Sequence, residues 1–243
     1  MLDKIKNIIK KQEEEIHFRV LRHVAVTMHG IESFSRKHSI SYEETLLKSF
    51  ETIKGIISLQ ANKNIPIITI DLIPEELKHE DNFSLFLDKF IEFFSFLKTY
   101  NTVHENKIKI TAIGKWYDLP GRAVESIKEL VDETKDYDSF FLNFCINYDG
   151  QSEIVDACKL IARQIKAEKL DVDAINKEVV KENIYASYFL PPDLVIKNGL
   201  RKRTSGLLLW DSSDSEILFT GKRFPEFTKT DFVNIIKQYQ RKA

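Results

Sequence analysis

The stretch Asp193–Phe227 reads DLVIKNGLRKRTSGLLLWDSSDSEILFTGKRFPEF. Leu194 to Ile196 is a short apolar run of strand type, and Asn198-Gly199 is a turn dipeptide that ends it. Arg201, Lys202 and Arg203 then set their cations beside the hydroxyls of Thr204 and Ser205. Guanidinium forks pair bidentately with phosphate oxygens, and a hydroxyl or a loop N–H can take the remaining lone pairs. Leu207 to Trp210 reads as a second, buried strand, and Glu216 is the only carboxylate inside the apolar stretch that follows. The combination suits an anion. A Lys/Arg loop solvated at the end of a sheet is the alternative that residue types leave open.

Strand-type runs recur upstream of this stretch at regular intervals. His23–Met28 (HVAVTM), Ile65–Leu72, Lys107–Ile113 and Phe140–Tyr148 are short and nearly continuous in apolar character, as expected for a sheet covered on both faces. Helix-type patterns separate them. Tyr42–Gln60 is one, and Asn82–Tyr100 is the most apolar. In the latter Phe83, Phe86, Leu87, Phe90, Phe94 and Leu97 form one stripe, widened by Leu85, Phe93 and Phe96. Asp118 and Pro120 start a third, and Asp149-Gly150 precedes a fourth with Ile154, Cys158, Ile161 and Ile165 on one side. Val172–Lys181 and Asp231–Arg241 read as two further helices. Alternation of this kind predicts one α/β domain over residues 21–243, with a mainly parallel central sheet flanked by helices. Residues 1–20, with Ile5, Ile8, Ile9 and Ile16 among Lys and Glu, are expected to form an amphipathic helix packed on that domain.

Composition narrows the function. Of 243 residues, 43% are hydrophobic and 11% aromatic, enough for a full core. A net charge of −1, from 36 basic and 37 acidic residues, argues against bulk nucleic-acid binding. Cys145 and Cys158 lack a C-x-x-C spacing and are expected to be core thiols in a reducing cytoplasm. Met1–Arg22 is charged throughout, so no signal peptide is expected there, and no apolar run approaches the roughly 18 residues of a membrane span. The expected location is cytoplasmic, with at most peripheral contact with a membrane.

The stretch Asp193–Phe227 resembles the C-terminal signature of the cis-prenyltransferases, the undecaprenyl and dehydrodolichyl diphosphate synthase family. Asp193, Leu194, Ile196, Gly199, Arg203, Ser205, Leu208, Leu209, Trp210, Glu216, Phe219, Thr220, Pro225 and Phe227 fall on its matching positions. Asn147–Ala157 is similar to another family segment, with Asp149 and Gln151 in place of its Gly and Arg. The resemblance implies a mainly parallel α/β fold and an apolar tunnel for a polyprenyl tail. It also implies binding of the isopentenyl diphosphate headgroup by Lys197, Arg203 and Ser205, with Glu216 sharing a Mg²⁺ ion. Where the tail would run, the Phe-rich helix leaves open whether this chain has a tunnel or a filled core.

The resemblance departs from the family after the first strand. The family has M-D-G-N-x-R, and this chain has Met28-His29-Gly30-Ile31-Glu32-Ser33. His29 thus occupies the position of the catalytic Asp, Ile31 that of an Asn, and Ser33 that of the Arg for allylic phosphate. The family reaction expels pyrophosphate, whose charge needs Mg²⁺ and cationic side chains. Imidazole is a poor substitute for a carboxylate around Mg²⁺. The expected role is therefore a non-catalytic subunit of a heteromeric polyprenyl diphosphate synthase, with a catalytic paralogue as partner and isoprenoid diphosphates as ligands. Arg241, in the tail Arg241-Lys242-Ala243, would reach the partner's site. The alternatives are an active homodimeric synthase with a remodelled first site and an isoprenoid-diphosphate-binding protein. A new acid/base or metal-ligand role for His29 is weighed against a structural one.

Overall fold

Apolar residues that recur without polar interruption must be covered from both sides, and this requirement sets the architecture. In a computed structural model that describes residues 19–74 and 81–241, six strands form one parallel sheet. They are β1 (His23–Thr27), β2 (Ile67–Pro74), β3 (Ile108–Ile113), β4 (Phe140–Tyr148), β5 (Leu194–Lys197) and β6 (Glu216–Phe219). Their spatial order is β3-β4-β2-β1-β5-β6. Every neighbouring pair is parallel: β1 sets Val24 against Ile68 on one side and against Leu194 on the other. The α/β class, the parallel sheet and the flanking helices are as expected. The amphipathic helix expected over residues 1–20 falls almost wholly outside the described residues.

The helices are α1 (Ile31–His38), α2 (Tyr42–Asn62), α3 (Phe83–Leu97), α4 (Asn101–Glu105), α5 (Gly121–Thr134), α6 (Gly150–Lys166), α7 (Lys177–Asn183) and α8 (Lys229–Gln240). Side chains alternate across a strand, so each face carries its own set. Val24, Val26, Ile68, Ile70, Leu142, Phe144, Leu194 and Ile196 face the larger core, shared with α2, α3, α5 and α8. Aromatic rings from α2, α3 and β4 meet in this layer. Phe50 stacks on Phe93 at 4.6 Å, Phe90 and Phe94 meet tilted at 4.1 Å, and Phe94 meets Phe144 at 5.2 Å. With Phe86 they are buried to within a few per cent. Phe96 departs from the expectation. It is exposed, with the Lys54 ammonium 4.0 Å above its ring.

The opposite face carries a smaller core and a polar row. Ala25, Phe141, Cys145 and Val195 pack under Ala186, Phe189, Leu207 and Leu208. Between them runs a directional chain of hydrogen bonds. His23 Nδ1 lies 2.6 Å from the Leu190 carbonyl and must donate to it, which leaves Nε2 to accept from Thr69 Oγ1 at 2.7 Å. Thr69 Oγ1 accepts from Asn143 Nδ2, and Asn143 Oδ1 accepts from Thr111 Oγ1. Each buried group thereby has a partner of opposite sense, and His23 is held as one neutral tautomer.

Four elements differ from the sequence reading. Leu207–Trp210 is a turn rather than a strand: Gly206 (φ 73°) and Leu208 (φ 48°) take left-handed backbone, and the Leu208 carbonyl accepts the Ser212 N–H at 2.8 Å in place of a strand partner. Val172–Lys181 splits into a 3₁₀ turn, Val172–Ala174, and α7, whose N-cap Asn176 accepts the Val179 N–H. Asn82–Tyr100 breaks at Tyr100, which is extended (ψ 108°), and the chain restarts as α4. Ile31–His38 forms a helix that the pattern does not announce. Cys145 is a core thiol as expected, whereas Cys158 is exposed on α6.

Candidate diphosphate site

In an open parallel sheet, ligands bind beyond the carboxyl ends of the strands, where neighbouring connections leave in opposite directions. Here that point lies between β1 and β5. The chain leaves β1 through α1 and α2 over the larger core and arrives at β2. It leaves β5 through residues 198–215 over the smaller core and arrives at β6 on the other side. The crevice between the two exits contains His29 and the basic loop.

The walls are tied together by backbone. Asn198 N–H donates to Thr27 Oγ1 at 3.0 Å and its amide to the Thr27 carbonyl at 3.1 Å, joining the ends of β1 and β5. Gly199 lies so near His29 that an added Cβ would stand 3.4 Å from the histidine Cβ. Lys197 is 3% exposed and donates to Ser205 Oγ, folding the basic loop back on the strand. Arg203 is exposed at the mouth with Arg201 and Lys202. The loop's far end is seated on α6. A Cβ on Gly150 would fall 2.1 Å from the Gly206 carbonyl oxygen, an approach that only glycine permits. Gly150→Ala is therefore expected to destabilise the fold by about 2 kcal/mol through overpacking, read as a lowered urea midpoint; an unchanged midpoint would show that the loop shifts freely.

The electrostatics of the crevice follow from packing cations into a partly dry space. Burial, then the neighbouring Lys197 and Arg203, push the His29 imidazole down to about 4, so at neutral pH it is uncharged. Burial lowers the Lys197 ammonium to about 8; Asp71 beneath it works in the opposite direction, and Arg203 adds to the lowering. Lys197 thus remains mostly protonated near pH 7. An anion placed between Lys197 and Arg203 would relieve their mutual repulsion.

Of the residues that the sequence singles out, His29, Lys197, Arg203 and Ser205 come together. Glu216 and Arg241 do not join them within this chain. Glu216 opens β6 opposite Leu194, the entry residue of β5, and pairs with Arg19 at 2.9 Å. It lies about 10 Å back along the sheet, three strand residues from the carboxyl end. Arg241 caps α8 at that same rear edge, where the Gln240 carbonyl accepts the Arg19 N–H. Sequence reasoning missed Asp71 and Arg223. Asp71 is buried in β2 among apolar neighbours and has the look of a strand residue; Arg223 is delivered by a loop whose destination no local pattern reveals.

The donor set does not fit the family's metal. Imidazole stands at the end of β1 with Lys197 and Arg203 around it, and Glu216 is elsewhere. Among the described residues no three His, Cys, Asp or Glu side chains gather as a metal-binding group. Mg²⁺ prefers hard oxygen ligands, and flanking cations oppose it.

A crevice of this kind, at the switch point of a parallel sheet and lined by Lys and Arg, is the place where open α/β folds hold ligands, and its cations suit a phosphorylated one. Comparison with known proteins gives the family. Residues 27–243 match the family described as putative undecaprenyl diphosphate synthase, and the chain belongs to that family, the cis-prenyltransferases. It is 31% identical over 223 residues to the geranylgeranyl-diphosphate-specific tritrans,polycis-undecaprenyl-diphosphate synthase of Pyrococcus horikoshii, covering 91% of this chain and 84% of the relative. The isoprenyl transferase of Oceanobacillus iheyensis is 28% identical, over 96% of this chain and 93% of its own length. Lavandulyl diphosphate synthase from Lavandula x intermedia, solved in complex with dimethylallyl diphosphate, shares the fold with a TM-score of 0.85. Its identity is 22%, over 93% of this chain and 96% of that one. Among the described residues no helix is long and apolar enough to cross a membrane.

Proposed function

We propose that this chain takes part in polyprenyl diphosphate synthesis, with Lys197, Arg203 and Ser205 holding the diphosphate of isopentenyl diphosphate. The observation that carries the reading is the convergence of those three side chains with His29 at the β1/β5 crevice. Relatives named as synthases favour an active homodimeric cis-prenyltransferase whose first site is remodelled around His29. In this reading Lys197 and Arg203 neutralise the bound diphosphate, and the uncharged His29 imidazole can accept a proton beside it.

A second reading is favoured by the donor set. With imidazole in place of a carboxylate, and Ile31 and Ser33 where the family has Asn and Arg, the chain would serve as a non-catalytic subunit. A catalytic paralogue would be its partner, and Arg241 would lie across their contact. Losing one stabilising group costs about 10²- to 10³-fold in rate, so such a chain would depend on its partner for turnover. In either reading it works in the cytoplasm, with at most peripheral contact with a membrane.

Incorporation of labelled isopentenyl diphosphate onto an allylic diphosphate, with Mg²⁺ present, tests both. Incorporation by this chain alone, reduced about 100-fold by Arg203→Ala, is the result expected of the active enzyme. Incorporation only after co-expression with a paralogue assigns the subunit role. No incorporation in either arm, together with no calorimetric binding of isopentenyl diphosphate, would sink the proposal.

A further inference from the structure

The loop after β6 crosses directly over the exit from β1. Phe224 N–H donates to the His29 carbonyl at 2.8 Å and Gly199 N–H to the Lys222 carbonyl at 2.6 Å, so Arg223 leaves the backbone between the two walls of the crevice. Its Cβ and Cγ would stand 2.9 Å from a Cβ on Gly30, and glycine at φ 94° is what admits them. The side chain then runs along the first turn of α1. Nε donates to Ser33 Oγ at 3.0 Å, and that hydroxyl donates onward to the Gly30 carbonyl at 3.1 Å. Nη1 reaches Glu226 at 3.2 Å. Nη2 has no hydrogen-bond partner among the described residues.

Charge is in excess here. Glu226 is the carboxylate facing this group, and it is shared by Arg223 and by Lys37, each at 3.2 Å, with His38 Nε2 at 3.7 Å. The Arg223 side chain is 12% exposed, so its positive charge is held close against the protein rather than spread in water. Gly30 offers the start of α1 no side-chain cap. A guanidinium thus lies over the amino end of a helix, on the loop whose Phe224 N–H binds the His29 carbonyl. Anionic groups suit the amino end of a helix, and the Arg223 guanidinium adds to that preference here.

We propose that Arg223 is the headgroup-binding residue for the allylic diphosphate. In that role it supplies, from the loop after β6, a guanidinium over Ser33, while Arg203 serves isopentenyl diphosphate. This rests on the function proposed above. Two diphosphates are then divided between two arginines, on the two loops that meet at His29. Ser33 is a positioning residue: its hydroxyl fixes the plane of the guanidinium through Nε and, with Glu226 on Nη1, leaves Nη2 to donate to the headgroup.

Calorimetric titration of the full chain with farnesyl diphosphate and, separately, with isopentenyl diphosphate tests the assignment. Arg223→Ala is expected to weaken farnesyl diphosphate at least about tenfold and to leave isopentenyl diphosphate within about twofold; Arg203→Ala should do the reverse. Arg223→Lys should recover little, because a point charge does not replace the fork. Ser33→Arg in the Arg223→Ala background should restore farnesyl diphosphate binding, which a purely structural role for Arg223 would not allow. The assignment is overturned if Arg223→Ala keeps wild-type affinity for farnesyl diphosphate, or weakens both ligands equally. Should Arg223→Ala fail to fold, Ser33→Ala takes its place: a several-fold loss for farnesyl diphosphate alone supports the assignment, and no loss overturns it. A wild-type chain that binds neither diphosphate refutes the proposed function itself, and this assignment with it.

Discussion

Asp193→Ala is expected to destabilise the protein by about 3–5 kcal/mol. The Asp193 carboxylate is 7% exposed and accepts four hydrogen bonds. The backbone N–H groups of Arg22 and His23 donate to one oxygen at 2.7 and 2.9 Å, and the Arg22 guanidinium donates to the other at 3.0 and 2.5 Å. Removing the carboxylate leaves two buried N–H groups and a guanidinium without an acceptor at the seam between β1 and β5. For a chain of this length the thermal midpoint should fall by roughly 10 °C. A loss below about 1 kcal/mol by urea titration would mean that water replaces the carboxylate and that the seam is held by strand pairing alone.

The second large effect is a pH dependence centred on His23. Burial, the largest influence, holds its imidazole down at about 4, against which the bond to Leu190 works only in part. The unfolded chain takes up that proton near pH 6.5 while the folded one refuses it, so stability falls as pH drops from about 6.5 to about 4. The full loss is about 3 kcal/mol. His29 adds to the slope in the same window, whereas the raised carboxyls of Glu153 and Asp211, both lifted chiefly by burial, oppose it. Urea unfolding between pH 7 and 4.5, with His29→Asn alongside the wild type, separates the two histidines. If the His29→Asn protein shows no fall in stability, or if NMR finds His23 titrating near 6.5, the neutral tautomer inferred from the Thr69–Asn143–Thr111 chain is wrong.

How much of this was legible in the sequence depends on what each residue answers to. β1, β2 and β4 were visible because a strand covered on both faces has to be apolar at nearly every position, and little else produces HVAVT or FFLNFCINY. The run Leu207–Trp210 has the same composition and is a turn. Its conformation is decided by left-handed backbone at Gly206 and Leu208 and by burial under the smaller core, neither of which changes the apolar pattern. The candidate site was legible where it is local: Lys197, Arg203 and Ser205 lie within nine residues of one another, and the loop that bears them needs only to fold back. Glu216 shows the limit. Spacing assigns it to a strand but not to an end of the sheet, and in a parallel arrangement the first residue of β6 lies beside the entry to β5, away from its basic exit. Arg223 and Asp71 are brought to the site by tertiary packing, so their importance is visible only once β1, β2 and the last loop are side by side.

The tie between Arg22 and Asp193 spans 171 residues of chain. On a ribosome adding about 5–20 residues per second, Arg22 therefore waits roughly 10–30 s for its partner. Through that interval β1 can pair with β2 on one side only, and its other edge stays open with Val24 and Val26 on the strand. Non-local parallel pairing is slow to form and exposes such edges to the wrong neighbour. A fragment that stops short of Leu194 would keep β1 permanently in that state, so nascent or truncated chains should be the ones that aggregate, and the completed chain should escape as β5 closes the edge.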